Sequence, residues 1–202
     1  MLLNESDFRD GYGSYFTTID KCIEDGIKLW FELPAKHRMM ASPRSRASSI
    51  HDYIKAMAIE RFQPLPNIEL FEVRGLFLIK FGEEVLLRFK KVNEKYLSQN
   101  IPTAQTWRFM QQGVQEPLFG VPYATTVIAG YRTDKAHAEI QWTGITCPNG
   151  KQNLWRIDFD KTYAAPAVPI QDYQEQKLTA TTEPRPKEGL KDAKQGDGGK
   201  DI

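Results

Sequence analysis

Residues 68–91 read IELFEVRGLFLIKFGEEVLLRFKK. Two runs of branched and aromatic residues flank Gly82-Glu83, the pattern of a β-hairpin. A two-residue turn there sets Phe81 opposite Glu84, Ile79 opposite Leu86 and Phe77 opposite Arg88. Side chains alternate along a strand, so this register places Val85, Leu87 and Phe89 on one face with Leu76 and Leu78. The other face then carries Phe77, Ile79, Phe81 and Leu86, and also Arg88 and Lys90. Near the turn both faces are apolar, as in a central strand pair. Farther away come Glu72, Arg74, Arg88, Lys90 and Lys91. A hairpin cannot bury such strands alone, so flanking helices must cover it.

Upstream, a helix is expected over residues 7–33, capped by Ser6 and stopped by Pro34. Its apolar stripe is Tyr15, Ile19, Ile23, Ile27 and Trp30, with Gly11, Gly13 and Gly26 as weak points. A basic linker with Lys36, His37, Arg38, Arg44 and Arg46 follows. Ser48 or Ser49 then caps a second helix over 50–62, where Ile50, Tyr53, Ile54, Met57 and Ala58 share a face. Downstream, Thr103 caps a third helix over 104–112, ended by Gly113. Residues 114–124 form a proline-punctuated loop. ATTVIAGYR, AHAEIQWTGITC and KQNLWRIDF read as further strands. The expected fold is α+β: a mixed or mainly antiparallel sheet of about five strands with three helices packed on it, a single domain over residues 1–165. Residues 166–202 are rich in proline, glycine and charge, the composition of a disordered tail.

The 202 residues suffice for one sizeable core, and a net charge of +1 is no general polyanion sponge. Cys22 and Cys147 are far apart and lack zinc-ligand spacing, which suits reduced thiols in a cytoplasmic protein. The opening residues lack the basic and apolar regions of a signal peptide, and no apolar run reaches membrane-spanning length. No GxGxxG, P-loop, HExxH, GxSxG or CxxC motif occurs, and His37, His51 and His137 are scattered. His51-Asp52 is not a dyad, because neighbours on a helix do not face each other.

Three readings of function follow from the residues. Arg44, Arg46, Arg74, Arg88, Lys90 and Arg108 converge as an anion-binding surface for nucleic acid or a phosphorylated ligand, with Gln105 and Gln111 lining an adjoining polar groove. Alternatively Glu60, Glu72 and Glu84 bind magnesium and Lys90 polarises water, as in a metal-dependent nuclease. Glu72, Arg88 and Lys90 are then the catalytic candidates. The acid-x-lysine pair of such enzymes is absent, Glu72-Val73-Arg74 being the nearest substitute, and strand-end ion pairs account for the same residues. Outside the nuclease reading no cofactor or metal is expected. The third reading is a non-catalytic interaction module.

The succession RSRASSIHDY (44–53), GLFLIKFGEEVLLRFKKVN (75–93), NIPTAQ (100–105), VIAGYRTD (127–134) and CPNG (147–150) resembles a bacterial family. Its members are encoded beside a protein that joins a helix-turn-helix to an ImmA/IrrE-type metallopeptidase domain. That pairing resembles a toxin–antitoxin, antiphage-defence module of the RosmerTA kind. The resemblance covers residues 5–160. It implies a toxin and a cognate antitoxin partner with a DNA-binding domain. It carries over no catalytic residue.

Overall fold

The computed structural model describes residues 2–99, 103–113, 124–134 and 139–159. The chain divides after Ala165 into two units, and all described residues lie in the first. The expected tail over 166–202, most of the expected loop over 114–124, and His137 fall outside the described residues.

The chain opens with α1 (Glu5–Tyr12), capped not by Ser6 but by Asn4, whose side chain accepts from the Asp7 amide. A 3-10 turn at Gly13–Tyr15 separates α1 from α2 (Phe16–Glu32), so the single expected helix is broken where its glycines weaken it. Pro34 ends α2 as expected. The basic linker is helical instead: α3 spans Ala35–Met40 and α4 spans Pro43–Phe62. Ser42 accepts from the Ser45 amide as N-cap, and Pro43 occupies the first turn, so α4 starts seven residues before 50. Thr103 caps α5 (Ala104–Met110) as expected.

Six strands make one mixed sheet in the order of the chain: β1 (Ile68–Val73), β2 (Leu76–Phe81), β3 (Val85–Lys91), β4 (Thr125–Thr133), β5 (Ile140–Asn149) and β6 (Gln152–Asp158). The α+β class stands, with six strands in place of about five. Neighbours are antiparallel except β3 and β4, which run parallel with α5 in the crossover.

The β2–β3 hairpin departs from the expected register. Phe81 pairs with Val85 and Ile79 with Leu87, leaving Gly82-Glu83-Glu84 as a three-residue loop with Gly82 at φ +55°. One extra loop residue turns every β3 side chain to the other face. Val85, Leu87 and Phe89 therefore join Phe77, Ile79 and Phe81 in the main core, where α2 and α4 cover the sheet. Leu86, Arg88 and Lys90 share the second face with Leu78, where α5 contributes Phe109 and Met110.

The helical layer is tight. A Cβ on Gly26 of α2 would fall 2.6 Å from the Ile54 amide nitrogen of α4. Ile50, Ile54, Ala58 and Phe62 recur every fourth residue to form the buried stripe of α4. Among the described residues no helix is long and apolar enough to cross a membrane.

A cationic second face as candidate anion site

Strand β3 fixes the site. Leu87 and Phe89 must reach the helical core, so Arg88 and Lys90 between and beyond them point the other way. Arg88 is 3% exposed, and its guanidinium lies 5.0 Å from the Phe109 ring centroid of α5. That cation–π contact is its main compensation. Its Nη1 is buried without an acceptor among the described residues. Burial alone pulls the Arg88 pKa down to about 10. Burial, then the Arg88 charge, pulls Lys90 to about 8. No carboxylate among the described residues offsets either shift. A buried and a half-buried cation side by side, with no counter-charge among the described residues, are costly, and an anion beside them lowers that cost.

The parallel register sets Ile128 beside Arg88 and Gly130 beside Lys90, and Gly130 in turn pairs with Gly144 on β5. The Trp142 indole lies over both glycines: a Cβ would come within 2.9 Å of its ring at Gly130 and 2.5 Å at Gly144. Trp142 Nε1 donates to Asp158 Oδ1 at 2.8 Å, and Asp158 also pairs with Arg156 at 2.7 Å. Tyr96 meets Trp142 edge-on at 4.9 Å. Two guanidinium groups lie against the Tyr96 ring, Arg156 at 3.9 Å and Arg132 at 5.3 Å. Arg132 Nε is also buried without an acceptor. Three strands thus supply Arg88, Lys90, Arg132 and Arg156 to one face, with aromatic rings between them.

No family model, curated protein or solved structure matches this chain.

The other residues singled out from the sequence are distributed as follows. Arg108 is exposed on α5, next to Phe109. Arg44 and Arg46 stand in the opening turns of α4, and Arg46 lowers the pKa of Lys91 after burial does. Arg74 sits in the β1–β2 turn at φ +50°. Of the six expected cations, Arg88 and Lys90 share one face of β3, and the others stand on α4, α5 and the β1–β2 turn. Gln105 is occupied, donating to the Val73 carbonyl at 3.1 Å, and Gln111 is exposed at the end of α5. Gln112 is bonded to Thr126 and to the Pro148 carbonyl, which pins α5 to β4 and β5.

The glutamates considered for magnesium are held apart. Glu72 is ion-paired with Lys55 of α4 on the helical side, Glu84 accepts from Tyr12 Oη at 3.1 Å, and Glu60 is exposed on α4. Among the described residues no three His, Cys, Asp or Glu side chains are grouped to hold a metal. Cys22 and Cys147 are fully buried, which pushes their thiols up to about 11 and about 12.

Tyr96, Arg132 and Arg156 were not singled out by the sequence. Arg132 carries the one usable signal: in TTVIAGYRT it shares strand parity with Ile128 and Gly130.

Proposed function

We propose that the second face of the sheet binds a polyanion, single-stranded nucleic acid being the class that fits it, and that this binding is the activity of a toxin held in check by a cognate antitoxin. The observation that carries the binding reading is the pairing of a buried Arg88 with a half-buried Lys90, without a carboxylate among the described residues to offset them. Cations with interleaved aromatic rings suit a chain of phosphates and unpaired bases better than a duplex. The toxin setting rests on the family resemblance alone. No observation favours magnesium-dependent cleavage.

The test is fluorescence anisotropy with a labelled single-stranded RNA across a salt series. Binding should weaken linearly in log salt. Lys90→Met with Arg132→Met should reduce affinity roughly tenfold and flatten the slope by about one per lost phosphate contact. Controlled expression should arrest growth, the double variant should relieve the arrest, and the neighbouring gene should abolish it. Absence of binding at low salt removes the polyanion reading. Arrest unaffected by the double variant separates toxicity from this face.

A further inference from the structure

Beside the Arg156–Tyr96 stack lies a cleft of about 380 Å³. It is bounded by the loop after β3 and by the β5–β6 hairpin. Lys95, Lys151 and Arg156 line it, with Tyr96, Gln152 and Asn153, and none of its described lining residues is a carboxylate. Asp158 pairs with Arg156 and orients its guanidinium.

The loop that presents Tyr96 is built to hold a ring in an unfavourable place. Tyr96 has φ +59°, a left-handed backbone that a bulky side chain rarely adopts. Asn93 enforces it: its Oδ1 accepts from the amides of Lys95 and Leu97, and its carbonyl accepts from the Tyr96 amide. Strain of this kind persists only where surroundings over-determine it, and it gathers at binding sites.

Asn153 supplies an independent sign. Its Nδ2 donates to the Tyr96 carbonyl at 3.0 Å, which fixes the orientation of the amide. Its Oδ1 is then an acceptor, buried and without a donor among the described residues. Solvent does not reach that atom, so a ligand N–H beside a planar ring meets it on a small rotation of the Asn153 amide toward the cleft. Such a ligand stacks on the Arg156–Tyr96 pair and leaves its phosphate to Lys95 and Lys151.

We infer that this cleft is a nucleotide-binding site, taking one unpaired base with its phosphate. The inference rests on the polyanion reading above and names the unit recognised. The nucleotide comes either from a single-stranded chain or as a free mononucleotide.

Three probes test it on the full chain: a short labelled single-stranded RNA, a sugar–phosphate polymer of equal length without bases, and AMP. The RNA should bind roughly tenfold more tightly than the abasic polymer, the scale of one stacked base. Tyr96→Gly removes the ring and suits the left-handed backbone, so the fold should survive while the preference for bases disappears. Tyr96→Phe should keep it. Lys95→Ala with Lys151→Ala, both exposed positions, should weaken both polymers alike. A rise in Tm with AMP assigns the site to free nucleotides as well, and no rise with tight RNA binding assigns it to chains. If both polymers bind equally to the wild type, the nucleotide site is wrong and the polyanion face stands. If neither binds, both fall. Should Tyr96→Gly fail to fold, the wild-type ratio of RNA to abasic polymer decides alone.

Discussion

His51 illustrates how the cationic face acts through the sheet. Burial, then Lys90, lowers its pKa from 6.5 to about 4, Arg88 and Lys55 adding to the effect and Asp52 opposing it. A base whose folded pKa lies below its unfolded value binds fewer protons when folded. Its neutral form therefore contributes stability above about pH 6.5, and that contribution is lost as the pH falls toward 4. Between about pH 7.5 and pH 5 the wild-type Tm should drop more than that of His51→Gln. Thermal melts of the two proteins across that range check this, and parallel curves would rule it out. The same residue shows what reading a sequence can miss. His51-Asp52 looked like a possible acid–base pair, and adjacency on a helix argues against one. That Lys90 and Arg88 are the charges His51 senses follows only from packing α4 on the sheet.

At the scale of elements, the β2–β3 hairpin was legible and its register was not. The apolar runs and Gly82 announce two strands. In VLLRFKK, however, Leu86 and Leu87 are both apolar, so the pattern tolerates either parity. Loop length decides, and two versus three residues was not written in the alternation. Deleting Glu84 leaves Val85 opposite Phe81 across a two-residue Gly82-Glu83 turn, so Arg88 keeps its face. The expected result is a cooperative urea transition and a near-UV circular dichroism spectrum close to those of the wild type. Loss of both would mean that the three-residue loop itself, rather than the apolar packing of β3, holds the register. Helix α4 teaches a complementary lesson. Ser42-Pro43 is a good helix start, but the charge run behind it resembled a solvated linker. Arg88 and Lys90 were found because they stand on the hairpin. Tyr96, Arg132 and Arg156 were not, because only the parallel β3–β4 pairing and the Asn93 turn bring them together.

At the scale of the whole described unit, Leu3 ties β4 to β6. The Leu3 amide donates to Thr125 Oγ1 at 3.0 Å, and its carbonyl accepts from Trp155 Nε1 at 3.0 Å. Five residues on, Phe8 is 1% exposed and packs on Trp155 at 5.0 Å, with Tyr12 and Phe16 stacked around it. Phe8→Ala should cost about 3–5 kcal/mol, as for other buried phenylalanines. Chemical denaturation measures it, and a loss under about 1 kcal/mol would show that α1 is dispensable.

The Leu3–Trp155 clasp also bears on how the protein is made. Its two halves are separated by almost all of the described chain, and synthesis delivers them in order. The first helix leaves the ribosome long before the strand that receives it. Until the last strand emerges, Phe8 has no partner on Trp155, so final closure must wait for the end of translation of this unit.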